Sequence, residues 1–364
     1  MTDSSGIRIV QNGTPGSAEW TANSEPLFSL GWAAGDPTFT WVQSGQIMPD
    51  GGALIGEYGE GKIYRLAPDG TVLEVWGRKG EGPGEYQGLD ALILQGDSVI
   101  VTDGRLRRIT VLSREGEVVA TEPLPGSFLH YASSAFADGR VLLVPGDGYS
   151  GVSEMRPEWV FEMQPILITD LVEAETDTLA ELPHLRRWYG TRGAGPGPIS
   201  VKGRAGGFAD GFAWARSDRP EVTWYDSSGR LLQVAHWEEQ PFPLTPDWEQ
   251  DMAQAYREAY AARGAEEAFI NAEIARLEEG LDRHDGPLPY WDGFHVDRVG
   301  NVWLGQYGLP IQPPDRWRVI TRDGTLQGWV ELPGYVTLCS TSRIRTSWLF
   351  ASMSSTCRRW SCWN

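Results

Sequence analysis

The sequence predicts an all-β fold: a six-bladed β-propeller built from four-stranded antiparallel blades. Three observations predict it. A unit of turn, apolar strand, second strand, turn and third strand recurs at a spacing of about 40–50 residues, the length of one propeller blade. The chain of 364 residues carries 44 glycines and 24 prolines beside a hydrophobic content of 41%, as many short strands joined by turns require. It also carries 17 tryptophans, whose flat rings fill the space between packed sheets.

The N-terminal segment, 1–25, is polar or small apart from Ile7-Arg8-Ile9-Val10, a candidate for a ring-closing strand. The propeller is expected over 26–334. Its first repeat runs from the turn Asp50-Gly51-Gly52 through Ala53–Tyr58 and Lys62–Leu66 to Pro68-Asp69-Gly70 and Thr71–Trp76. The second takes Ser98–Asp103, Arg108–Leu112 and Glu117–Val119. A third starts at Ala137-Asp138-Gly139 and ends near Asp170; a fourth starts at Ala209-Asp210-Gly211 and ends near Ala235. The fifth takes Asn301–Leu304, Arg316–Ile320 and Leu326–Val330. A sixth is expected from the tail together with a strand near Pro26–Leu30, because each blade buries its faces only on its neighbours and the ring has to close.

One stretch breaks the two-residue alternation. Thr245 can cap a helix with Pro246 in its first position. Trp248, Met252, Tyr256 and Tyr260 then recur every four residues. After Gly264, Phe269, Ile270, Ile274, Leu277 and Leu281 mark a second helix. A helical hairpin over about 245–283 is expected, its apolar stripe on the propeller.

The tail, 335–364, contains no Asp, Glu or Lys and holds all three cysteines, Cys339, Cys357 and Cys362. Read in a shifted frame, Arg343 to Asn364 becomes Asp-Ser-Asp-Glu-Leu-Ala-Val-Arg-Val-Asp-Glu-Leu-Asp-Val-Gln-Thr-Val-Glu-Leu-Leu-Glu, acidic again and alternating as half-buried strands do. We therefore expect a frameshifted tail and a disrupted last blade, with poor stability and a tendency to aggregate.

The net charge of −18 disfavours nucleic acid and anionic lipid as partners. No stretch is long and apolar enough for a transmembrane segment, and no signal peptide is read at the start. A body without cysteine needs no disulfide or thiolate–metal site. The five histidines form neither His-x-His nor His-Glu-x-x-His, and no Gly-x-Ser-x-Gly elbow is present. Gly77–Gly84 lacks the spacing of a phosphate loop and reads as a tight turn between blades.

Gly77-Arg78-Lys79-Gly80-Glu81-Gly82-Pro83-Gly84-Glu85-Tyr86 resembles the inter-blade segment of bacterial six-bladed propellers of the NHL/TolB-like kind. Ser5–Asn12 resembles their first mature strand, and Val101-Thr102-Asp103 through Arg107–Val111 is similar to an NHL strand pair. The resemblance spans residues 3 to about 334. It implies an extracytoplasmic location, periplasmic or lipoprotein-anchored, and implies no particular activity. In such a blade Asp103 and Arg108 brace the strand pair, leaving Arg105 at the turn for an anionic ligand or a partner. His130, at a blade entrance, and His295, at the start of blade five, read first as hydrogen-bonded structural residues and second as channel ligands.

Trp291-Asp292-Gly293-Phe294-His295 resembles a blade segment of gluconolactonase/regucalcin propellers. That likeness implies Asp292 as a ligand to a divalent cation such as calcium, which would polarise a lactone carbonyl. The family's paired Asn residues and N-terminal Glu have no clear match. The expected function is a non-catalytic scaffold, without cofactor, that binds an unidentified protein or small-molecule ligand on one face of the disc. The alternative is a metal-dependent lactonase centred on Asp292. The expected ligand-binding residues are Asp103, Arg105, His130, Asp292 and His295.

Overall fold

The structure is a computed structural model. It describes residues 2–4, 6–16, 28–30, 36–37, 39–126, 130–146, 158–190, 193–195, 199–241, 243–262, 264–282, 284, 288–308, 314, 316–332, 337–339, 348–352 and 359–363. The chain folds as an all-β propeller with mainly antiparallel four-stranded blades and two helices.

Blade one comprises Val42–Ile47, Ala53–Glu57, Lys62–Leu66 and Val72–Trp76. Blade two comprises Leu89–Gln95, Ser98–Asp103, Arg108–Ser113 and Val118–Pro123. Blade three begins with His130–Ala135 and Val141–Pro145 and continues into a long ribbon, Glu158–Thr169 and Thr176–Gly190, edged by Gly193–Gly195. Blade four is Gly203–Phe208, Gly211–Arg216, Glu221–Asp226 and Leu231–His236. Blade five is Trp291–Val296, Val302–Gln306, Arg316–Ile320 and Leu326–Glu331.

The turns explain why this sequence makes hairpins. At Asp50 and Asp69 the carboxylate accepts the backbone N–H two residues on, at 2.9 Å in both. The intervening Gly51 and Gly70 adopt φ of 86° and 85°, a region costly for other residues. Asp138, Asp226 and Asp323 accept in the same way.

The core lies between blades. Leu54, Ile63 and Trp76 of blade one meet Leu92, Val99 and Leu112 of blade two in one apolar cluster, and comparable clusters join blades two to three, three to four and four to five.

Five blades are described in full, one fewer than the six expected. For the remaining sheet only backbone pairing is described: Thr337–Cys339, Trp348–Ser352 and Arg359–Trp363 pair in order, and Phe28–Leu30 adds antiparallel to the last. The expected frameshift falls largely on residues 340–347, 353–358 and 364, which lie outside the described residues.

Two placements differ from expectation. Ile7–Gln11 does not close the ring. It adds, in parallel, to Leu231–His236 at the outer edge of blade four. Asn12 pins it there, donating to the carbonyls of His236 and Gly324 at 3.1 and 2.9 Å and accepting the Leu326 N–H at 3.0 Å. The third repeat does not end near Asp170 but turns back into the second arm of the ribbon.

The helical insertion forms as α1, Pro246–Ala262, and α2, Glu267–Leu281. Thr245 Oγ1 accepts the Trp248 N–H at 3.2 Å. Trp248, Met252, Tyr256, Ile270, Ile274 and Leu277 are buried together with Ile199, Leu288 and Tyr307 of the propeller. No helix among the described residues is long and apolar enough to cross a membrane.

Candidate functional site

The inner strand of every described blade begins the same way. Its first residue pairs with the last residue of the second strand: Val42 with Glu57, Leu89 with Asp103, His130 with Pro145, Gly203 with Arg216, Trp291 with Gln306. The next residue in each blade is polar: Gln43, Asp90, Tyr131, Arg204 and Asp292. In blades one, two and five the register slips at this residue, a bulge that re-aims the side chain. Five blades thus set one polar group each at the same strand position, and four of these groups, Gln43, Asp90, Tyr131 and Arg204, line the channel.

Below them lies a cavity of about 610 Å³. Gln43, Asp90, Tyr131, Arg204, His295 and Arg298 supply its polar wall; Leu92, Phe294 and Val296 supply apolar wall. At its far end Arg298 of blade five donates to Gln46 Oε1 of blade one at 2.5 Å.

The polar groups at the mouth feel one another. Burial depresses Arg204 to about 10, with Tyr131 and Asp292 opposing the shift. Burial lifts the Tyr131 phenol above its ordinary range; Arg204 works against this and Asp90 with it. Asp90 is raised to about 6, first by burial, offset by the Gly104 N–H, while Asp103 adds to the rise and Arg105 opposes it. Asp90 Oδ2 accepts that N–H at 2.6 Å. His295, deeper in the channel, is pushed down to about 4 by burial, so its imidazole is neutral at pH 7. Its Nε2 has no hydrogen-bond partner among the described residues.

Asp292 is held by Lys202, whose Nζ donates to Oδ1. The helical hairpin stands close by. Burial raises Tyr256 and Tyr307 above the ordinary phenol range, and the Asp292 charge adds to both shifts.

The sequence-derived candidates separate on this geometry. His295 lines the cavity; Asp292 holds the corresponding strand position in blade five but is not among the residues lining the cavity. Asp103 does not join them. It is fully buried and accepts the N–H groups of Gln87, Gly88 and Leu106 at 2.7, 3.1 and 2.9 Å. Nor does it brace Arg108, whose guanidinium instead donates to the carbonyls of Glu81 and Glu85. His130 is buried with Nε2 2.9 Å from the Pro165 carbonyl oxygen, so it serves the fold. Arg105 is exposed, with its guanidinium 5.5 Å from the Tyr58 ring centre, outside the cavity wall. Sequence reasoning missed Gln43, Asp90, Tyr131 and Arg204. Aligning the repeats on their turn glycines and reading back to the start of each inner strand is the signal that finds them.

A divalent cation at Asp292 does not fit the described residues. That carboxylate already faces an ammonium and lies beside a guanidinium. No group of three His, Cys, Asp or Glu side chains placed to hold a metal occurs among the described residues.

No family model matches the chain, and no curated protein matches it. Solved structures do. A candidate exported protein from Bacteroides fragilis matches with TM-score 0.53 and 12% identity over 94% of this chain and 88% of that one. A member of the duf4221 family from Bacteroides vulgatus matches with TM-score 0.53 and 10% identity over 96% and 98%. A streptogramin B lyase matches with TM-score 0.45 and 12% identity over 91% and 95%. At these identities the likeness to the two Bacteroides proteins is one of fold, a bacterial β-propeller.

Proposed function

We propose that this chain is a non-catalytic propeller scaffold, six-bladed and of the NHL/TolB-like kind, that binds a small organic carboxylate in the mouth of its channel. The observation that carries the reading is Arg204. It puts a half-buried guanidinium into a cavity wall where burial disfavours its charge; Nη1 donates to the neutral carbonyls of Gly203 and His184 at 3.0 and 3.4 Å, and an entering carboxylate would add an opposite charge beside it. A planar fork of donors suits a carboxylate.

Three further features support it. The protein is strongly acidic, yet Arg204 and Arg298 outnumber the lone carboxylate, Asp90, among the described residues of the wall. The acidic exterior disfavours long polyanions and leaves a small anion as the occupant. The apolar wall beside the polar ring suits an organic body rather than a bare ion. An extracytoplasmic location goes with this reading, on the resemblance to exported propellers. No cofactor enters it.

The test is a set of thermal melts with acetate, benzoate and phenylacetate. A carboxylate at a hundredfold over its Kd adds about 2.7 kcal/mol to a protein that binds it only when folded. An upward shift that disappears in Arg204→Gln is the expected result. No shift from any carboxylate, or a shift that survives in Arg204→Gln, would remove the reading. Calcium and chelator are expected to leave the melt unchanged. A rise with calcium that is lost in Asp292→Ala would favour the lactonase alternative.

A further inference from the structure

We infer that the channel takes up its carboxylate together with one proton, shared between the ligand and Asp90 Oδ1. The inference rests on the carboxylate-binding reading and specifies how that site works.

Asp90 stands at the same strand position as Arg204, two blades away, with Tyr131 between them. The bulge at Asp90 and the cavity wall place it in the space the ligand would enter. One oxygen, Oδ2, is engaged by the Gly104 N–H. The other, Oδ1, has no hydrogen-bond partner among the described residues and is not sealed in the core. It is therefore the oxygen that can carry a proton towards a ligand.

The groups around Asp90 set the consequence. From its own blade come the Asp103 carboxylate, already satisfied by three backbone N–H groups, and the exposed Arg105. Blade one presents the neutral Gln43, blade three the Tyr131 hydroxyl, blade four Arg204. An ionised Asp90 would set a second negative charge in the same cavity as the bound carboxylate, and like charges in a half-buried site disfavour each other. A protonated Asp90 becomes a donor and hydrogen-bonds that carboxylate instead. Its rise to about 6 puts the switch within reach of neutral pH. In the balanced step, the free site with Asp90 ionised takes one carboxylate and one proton from water and forms one Oδ1–H···O bond. No covalent bond in the ligand changes.

The experiment is isothermal titration of benzoate and phenylacetate between pH 8 and pH 5, a range over which both probes stay ionised. Above the titration range of Asp90, affinity is expected to rise about tenfold for each unit the pH falls, then level off. Binding near pH 7.5 is expected to draw close to one proton from the buffer, read from the dependence of the heat on buffer ionisation. Asp90→Asn, which cannot ionise, is expected to bind at every pH with the affinity the wild type reaches only in acid, and to take up no proton. Wild-type binding that is independent of pH, or binding without proton uptake, would overturn the proton coupling and leave the carboxylate site standing. The uptake measurement needs only the wild type, so it holds even where Asp90→Asn folds poorly. An absence of binding at every pH would remove the site and the coupling together.

Discussion

Asp103 shows how a single side chain can look like a ligand in sequence and belong to the fold. Its carboxylate accepts the N–H groups of Gln87 and Gly88, before the inner strand of blade two, and that of Leu106, in the turn after the second strand. Glu57 occupies the corresponding strand end in blade one, also fully buried, and accepts from Thr40 and Trp41 at 2.9 and 2.8 Å. Removing such an acceptor leaves buried donors without partners. Asp103→Ala is therefore expected to lose about 3 kcal/mol in urea unfolding, while Arg105→Ala stays within about 0.5 kcal/mol. Asp90 and His295 make opposite contributions to the pH dependence of stability. The fold raises Asp90, so its stabilising effect is present in acid and is lost as pH rises through about 6. The fold depresses His295, so its effect is present above 6.5 and is lost as pH falls through about 4. Melts at pH 4.5 and 7.5 separate the two: Asp90→Asn is expected to stabilise only at the higher pH, and His295→Gln only at the lower. Likeness to a propeller blade segment marked Asp292, a place at a blade start marked His295 and His130, and a charged neighbourhood marked Asp103; one sequence does not say whether such a polar group points at a cavity or at backbone N–H and C=O groups.

At the scale of elements, the strands and the helical pair were legible because each carries its own period. Turn aspartates and left-handed glycines end the strands, and the four-residue recurrence of Trp248, Met252 and Tyr256 is the buried face of α1. Trp248→Ala is expected to cost about 3–5 kcal/mol, since it empties a large volume between the helix and the propeller. Phe269, half exposed at 50%, is expected to tolerate replacement within about 0.5 kcal/mol. Circular dichroism melts of the two variants check both values. The bulges were not legible. A bulge is a mismatch between two strands, and neither strand alone records it. That is why the polar ring at the channel mouth escaped a reading made one repeat at a time. The ribbon of blade three escaped for another reason: its outer part carries Trp159, Phe161, Arg186 and Arg187 without clean alternation. Its apolar rings are covered by guanidinium groups, Arg186 at 5.2 Å from the Trp159 ring centre and Arg216 at 4.7 Å from that of Phe161.

For the whole molecule the decisive question is how the ring closes. Blades one to five hold together through apolar clusters between neighbours, and Arg298 of blade five reaches Gln46 of blade one across the far end of the channel. One polar contact cannot substitute for a blade. The remaining sheet combines Phe28–Leu30 with three strands of the tail, so an early strand and the last three meet there without a covalent link. Its stability depends on whether the tail alternates apolar and polar residues as a blade strand does. The written tail does so poorly and carries no acid in an acidic protein. The shifted reading from Arg343 onward alternates well. A chain carrying that shifted sequence is expected to melt several degrees higher than the chain as written and to run as a monomer in size-exclusion chromatography. If the two chains melt together and both run as monomers, the written tail closes the ring as well as the shifted one, and the expectation of a disrupted blade fails. If the written chain melts lower and elutes as aggregate, its last sheet holds too weakly to cover the neighbouring blades, and their edges have found each other, as unpaired strand edges do.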